Sequence, residues 1–243
     1  QQVVVLEQHV EWYLGHASAR LRSGRQQIVL QCRSSRSQTP CELLRMPPVR
    51  VKMILASASP RRRELLAAAG YEFVVQPPHE SAECGWRTGE TSADLVVRLA
   101  RQKAADVAAR CGSGLVIGCD TVVECCGQIL GKPQNRSHAR QMLELLRGHE
   151  HGVYSGLCLW GVPGDRHDVR VAVTRLIMNS ISDGQLAAYL DSGDWEGKAG
   201  AFGYQDGHDW LQVIEGSESN VVGLPLELLD EMLTEWQRET DLG

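Results

Sequence analysis

From residue 51 onward the chain alternates short apolar runs with segments of helical period, and few folds accept that alternation. Met53–Ala56 reads as a strand. Residues 59–69 read as a helix, with Ser59 at the N-cap, Pro60 at the first helical position and Gly70 just past the end. Residues 72–76 are strand-like, and 92–110 form a long amphipathic helix. Residues 115–119 and 121–125 make an apolar strand run that Asp120 interrupts. A helix over 137–147 stops at Gly148; strands follow over 153–160 and 169–178. A capped helix over 182–190, a strand over 210–215 and a helix over 225–236 complete the pattern. Such a mix is that of an α/β or α+β protein.

The first fifty residues do not share this pattern. They carry seven Arg against three acids, whereas the whole chain has a net charge of −5. The stretch 17–48 is rich in Arg, Ser and Gln and shows no sustained period. Its functional reading is a targeting or nucleic-acid-binding arm. Its plain reading is a disordered extension, or upstream sequence preceding a start at Met53. We expect the plain one, with residues 1–50 as an extension and 51–243 as the folded domain.

Composition excludes several classes. No run of about 18 apolar residues lacks a charge, so a membrane span is not expected. The acidic body and an aromatic content of 5% argue against a nucleic-acid platform. Among the eight cysteines no C-x-x-C pair or Cys/His spacing suggests zinc. Cys119 and Cys125, which sit in apolar runs, read as small core residues in a reducing, cytoplasmic setting.

Three features carry chemistry. In Ser57-Ala-Ser-Pro-Arg-Arg-Arg63 a strand ends and a helix begins with three arginines at its positive end. Without a counter-ion each arginine there costs roughly 0.3–1 kcal/mol. An anion removes the conflict, so one reading is a phosphate site built from Ser57, helix N–H groups, Arg61 and Arg62. The other is a salt-bridged helix start. Arg62 shares the stripe of Leu65, Leu66 and Ala69 and so points inward; Arg63 meets solvent. The second feature is Asp120, a carboxylate inside the apolar run 115–123. Buried unpaired it would be costly. It is bound to a cation, poised as a base, or caps a neighbouring turn.

The third feature is the lysines. Against 21 Arg the chain has four Lys: Lys52, Lys103, Lys132 and Lys198. Lys103 lies on the apolar stripe of its helix, four residues from Leu99 and from Val107, and must snorkel or find an anion. Lys132 sits in a turn after a strand, and Lys198 opens a glycine-rich stretch. Basic groups, an embedded carboxylate and a glycine-rich loop suit a nucleotide with a divalent metal. No Walker loop, dinucleotide fingerprint or nucleophile elbow is present.

Six ordered strings resemble the Maf family of nucleoside triphosphate pyrophosphatases. They are Ile54-Leu-Ala-Ser-Ala-Ser-Pro-Arg-Arg-Arg-Glu-Leu-Leu66, Val97-Arg-Leu-Ala-Arg-Gln-Lys-Ala104, Gly118-Cys-Asp-Thr-Val-Val123, Gly131-Lys-Pro133, Gly197-Lys-Ala-Gly-Ala-Phe-Gly-Tyr-Gln205 and Asn220-Val-Val-Gly-Leu-Pro225. The resemblance spans about residues 53–236. It implies an α/β fold similar to inosine-triphosphatase-like proteins, a long mixed sheet with a cleft between two lobes. It also implies hydrolysis of a nucleoside triphosphate to the monophosphate and pyrophosphate, with Mg or Mn, in a cytoplasmic homodimer. By resemblance Asp120 is the proton acceptor, and Glu80 and Asp120 are metal-site acids, with Glu83 the substitute for Glu80. Ser57, Arg62, Lys103 and Lys132 match phosphate-binding positions. Arg61, Thr121 and Gln205 match substrate-specificity positions and resemble the dTTP/UTP branch.

The resemblance leaves alternatives: a 7-methyl-GTP or other modified-nucleotide pyrophosphatase, or a non-catalytic nucleotide-binding regulator of septum formation. The chain also departs from the family pattern. Cys119 replaces the usual Ala, Tyr204 an Ile, and Asp206 the Gly after the Gln. Residues 79–88 depart most. An acid at 206 is expected to shift base preference or repel the triphosphate.

Overall fold

In a computed structural model of the protein, residues 51–82 and 84–241 are described. The extension expected over residues 1–50, and Glu83, lie outside the described residues. In chain order the elements are β1 (Met53–Ala56), α1 (Pro60–Ala68), β2 (Phe73–Val75), α2 (Ser92–Ala108), β3 (Gly114–Cys125) and β4 (Gln128–Leu130). Then come α3 (Arg136–Leu146), β5 (Glu150–Val162), β6 (His167–Met178), α4 (Asp183–Ser192), β7 (Leu211–Glu215), α5 (Glu218–Val222) and α6 (Leu226–Asp241). Single 3-10 turns occur at Glu80–Ala82, Ala199–Ala201 and Tyr204–Asp206.

The strands form one mixed sheet, ordered β2-β1-β3-β5-β6-β7, with β4 also on β3. β1 is parallel to β2 and β3, and the remaining pairings are antiparallel. The fold is thus of the α/β or α+β kind that the alternation predicts, with the mixed sheet flanked by helices that the resemblance implies. Asp120 does not interrupt its strand. Pairing with β5 runs on through Asp120↔Gly156 and Thr121↔Ser155. Backbone hydrogen bonds carry a ladder whatever the side chain is, so the charge has to be answered on one face of the strand.

Along β3, successive side chains face opposite sides. The even-numbered side faces α2, whose Leu95, Val96 and Leu99 pack on Val122, and whose Ala100, Ala104 and Val107 pack on Ile54, Val116 and Cys158. α2 sits very close to the sheet because glycines lie beneath it. A Cβ at Gly156 would stand 2.1 Å from the Val96 carbonyl oxygen, and one at Gly118 2.3 Å from that of Ala100. We therefore expect Gly156→Ala to destabilise the protein by about 2 kcal/mol, read as a fall in denaturation midpoint. An unchanged midpoint would refute this seat for α2.

The odd-numbered side of β3 carries two separate cores. Leu115, Ile117 and Cys119 pack with Leu65 and Leu66 of α1 and Leu229, Met232 and Leu233 of α6. Val123 and Cys125 pack with Met142, Leu143 and Leu146 of α3 and Leu186 and Leu190 of α4. Thr121 falls between them. The two packed halves thus meet over one polar residue of β3.

Some local expectations differ from what is seen. Ser59 is the extended N-cap of α1, but its hydroxyl makes no capping bond. Instead the Ser57 hydroxyl accepts from the Ser59 N–H at 3.2 Å. The short β4 and α5 are not foreseen in the sequence, being three and five residues long. That is too short to show a period. The described cysteines are free, with Cys119, Cys125 and Cys158 buried. No described helix is long and apolar enough to cross a membrane.

Candidate active site

The strand register opens a gap at the middle of β3. β1 covers one edge of β3 as far as Ala56↔Gly118, and β4 covers the same edge only from Val123↔Leu130 onward. Residues 119–122 have no strand on that side among the described residues. Two chain segments lead into the opening. One leaves β1 through Ser57 into the start of α1. The other leaves β4 at Leu130 and continues into Gly131, Lys132 and Pro133, back along β3 toward Asp120. Both Asp120 and Thr121 lie in this opening, on opposite faces of the strand.

On the Thr121 face a polar cluster is built around Arg62. Its stripe turns it inward, as predicted. Nε donates to the Gly223 carbonyl at 2.7 Å, Nη2 to Thr121 Oγ1 at 3.1 Å and Nη1 to Ser57 Oγ at 3.3 Å. Thr121 Oγ1 lies 2.8 Å from Ser155 Oγ, its neighbour across the β3–β5 ladder. Gly223 presents its carbonyl because Asn220 anchors α5: its buried Nδ2 donates to the Val153 carbonyl at 3.1 Å and to Thr174 Oγ1 at 3.0 Å. Cys119 lies under the same carbonyl, its Sγ 3.4 Å away, and burial pushes its thiol pKa up. It acts as a small neutral core group. α1 starts here with Ser57 buried, no acid in its first turn and no side-chain cap. Its first N–H groups and positive end therefore suit an anion.

On the opposite face the two anomalous charges meet each other. Lys103 Nζ donates to Asp120 Oδ1 at 2.7 Å, with the side chains 7% and 14% exposed. Lysine on an apolar stripe and aspartate in an apolar run are each costly alone; together they are a buried ion pair. Asp120 is thereby kept in the gap with a cation beside it.

Arg61 bridges to a third segment. Its Nη2 donates to the Gly197 carbonyl at 2.8 Å. Burial, then the adjacent Arg62 charge, lowers its pKa, while Asp206 and Glu64 pull the other way. Gly200, with φ of 68°, donates its N–H to the Gly131 carbonyl at 3.0 Å. That bond lashes the glycine-rich segment to the Lys132 turn. Lys132 and Gln205 are both exposed, Gln205 at the centre of the Tyr204–Asp206 turn. Glu80 is exposed on its own turn, which α2 holds through Asp106: the carboxylate accepts the His79 N–H at 3.0 Å and lies 2.8 Å from His79 Nδ1. Among the described residues no hydrogen bond joins the Glu80 turn to Asp120.

A family model described as Maf-like protein matches residues 52–236. The chain belongs to the Maf-like family. Its relatives include proteins named dTTP/UTP pyrophosphatase. That of Rhodopirellula baltica is 56% identical over 190 residues, covering 78% of this chain and 84% of its own. That of Geotalea uraniireducens is 44% identical over 187 residues, covering 76% and 95%. That of Carboxydothermus hydrogenoformans is 40% identical over 187 residues, covering 76% and 99%.

In this Maf-like chain the structure brings Ser57, Arg62 and Thr121 into direct contact, joins Lys103 to Asp120, and ties Arg61 to the glycine-rich segment. Glu83 lies outside the described residues. Ser155 and Gly223 also belong to the neighbourhood, though neither had a role of its own in the sequence reading; Lys198 and Asp206, each noted in the sequence, prove to be an ion pair that it did not foresee. Only Gly223 had a signal, inside the string 220–225; Ser155 is found only through the β3–β5 register. Among the described residues no group of three or more His, Cys, Asp or Glu could hold a metal ion. One embedded carboxylate still fits magnesium, which typically binds one or two carboxylates and takes its other ligands from water and substrate phosphates.

Proposed function

We propose that this chain hydrolyses nucleoside triphosphates, dTTP and UTP foremost, between the α and β phosphates, giving the monophosphate and pyrophosphate. The observation that carries the reading is the 56% identity over 190 residues to a protein named dTTP/UTP pyrophosphatase. The geometry supports it. In this reading the triphosphate lies in the gap of β3, its negative charge met by the start of α1, Ser57, Arg62, Lys103 and Lys132. Asp120 takes the proton from the attacking water. Arg62, Lys103 and Lys132 stabilise the charge that develops on the departing pyrophosphate. A magnesium or manganese ion, held by Asp120 and Glu80 with the phosphate oxygens, would supply further charge neutralisation and polarise the reacting phosphorus. Arg61, Thr121 and Gln205 set base choice, Gln205 through an amide able to pair with the O4 and N3 edge of a pyrimidine. We assign the activity to the cytoplasmic nucleotide pool, and a homodimer to the protein on the family resemblance.

The test is pyrophosphate release from dTTP, UTP, CTP, 7-methyl-GTP, ITP and the common purine triphosphates with Mg or Mn. Preference for dTTP and UTP is the expected result. Preference for 7-methyl-GTP would move the chain to that substrate class. Saturable nucleotide binding without release from any of them would make it a non-catalytic regulator.

A further inference from the structure

Gln205 is exposed, yet both of its neighbours are tied down. Tyr204 Oη donates to Glu218 Oε1 at 2.8 Å, joining the turn to α5. Burial, then this acceptor, raises the Tyr204 phenol to about 12. On the other side Asp206 Oδ2 accepts from Lys198 Nζ in an ion pair whose side chains are 18% and 11% exposed. The pair lies across the backbone of Gly203. A Cβ there would stand 2.1 Å from Asp206 Oδ2 and 2.4 Å from Lys198 Nζ. A side chain at 203 would displace this ion pair. Lys198 directly follows Gly197, whose carbonyl holds Arg61. Asp206 acts on Arg61 too, opposing the fall in pKa that burial and Arg62 impose. Its carboxylate is thus ion-paired with Lys198, and the acid expected to repel a triphosphate already has its charge answered.

We infer that Asp206 is a positioning residue: with Lys198 on one side and the Tyr204–Glu218 tether on the other, it holds the Gln205 turn in register with Arg61 and so governs discrimination between nucleobases. The inference rests on the proposed reading of Arg61 and Gln205 as groups that meet the substrate. The phosphate-binding groups and Asp120 are contributed by other segments. Loosening the turn should therefore change which base is accepted more than how fast the bound substrate reacts.

The experiment measures kcat and KM for UTP and CTP in the wild type, Asp206→Asn, Tyr204→Phe and Gly156→Ala, with a melting curve for each. In Asp206→Asn the UTP-over-CTP ratio of kcat/KM is expected to fall about tenfold, through KM. In Tyr204→Phe, which removes one hydroxyl and keeps the ring, it should fall about threefold. Gly156→Ala, destabilised away from the turn, should keep the wild-type ratio; that separates positioning from general loss of stability. Ratios within about twofold of wild type in both turn variants would overturn the inference while leaving the proposed function standing. If Asp206→Asn does not fold, the Tyr204→Phe ratio decides alone. A folded wild type that releases no pyrophosphate from any triphosphate would overturn the proposed function, and this inference with it.

Discussion

Asp120→Asn is expected to reduce pyrophosphate release by roughly 10³-fold in a protein that still folds, its melting temperature lowered because Lys103 keeps an acceptor but loses its counter-charge. The amide has the shape of the carboxylate and keeps an oxygen to accept from Lys103 Nζ, now 2.7 Å from Asp120 Oδ1. The ladder through Asp120↔Gly156 is backbone and is untouched. What the amide cannot do is take a proton from water, or bring negative charge to a bound cation. Activity and fold should therefore separate in this variant. Wild-type turnover by the folded variant would remove Asp120 from the mechanism.

Lys103→Met should lower stability from the other side of the pair. Methionine fills the same stripe of α2 but leaves the 14% exposed Asp120 side chain without its cation. Breaking such a pair from one side is expected to cost about 3 kcal/mol. That corresponds to a fall in melting temperature of roughly 6–12 °C for a domain of this size. Phosphate charge compensation is lost too, so activity should fall with it. Adding Asp120→Asn to Lys103→Met should restore part of the stability, because the uncompensated charge is then gone. A single variant as stable as the wild type, or a double variant with simply additive losses, would show that the pair is not an energetic unit.

Much of the site was legible as a set of local anomalies. Three arginines at a helix start, a lysine on an apolar stripe and an aspartate in an apolar run each break a rule of their own element. Their pairing was not legible. Lys103 and Asp120 meet only because β3 runs beneath α2 with its even-numbered side chains facing the helix, and that contact depends on the close seat at Gly118 and Gly156. The same holds for Thr121 and Ser155, brought together by antiparallel register.

The main strands and helices were readable because each is long enough to show a period. β4 and α5 are not, although β4 defines one side of the gap and α5 carries Gly223. The break expected at Asp120 does not occur, since a charged side chain does not stop backbone pairing. The cap expected from Ser59 is not made; its own N–H bonds to the hydroxyl of Ser57, two residues earlier. Asp206 looked repulsive in the sequence because its partner, Lys198, is eight residues away across a glycine turn.

The most direct measurement is phosphorus NMR of purified protein acting on dTTP with magnesium. The expected result is dTMP and pyrophosphate appearing in equal amounts, from cleavage between the α and β phosphates, with the signals absent in Asp120→Asn. Release of dTDP and inorganic phosphate, or no reaction by a folded wild type, would contradict it.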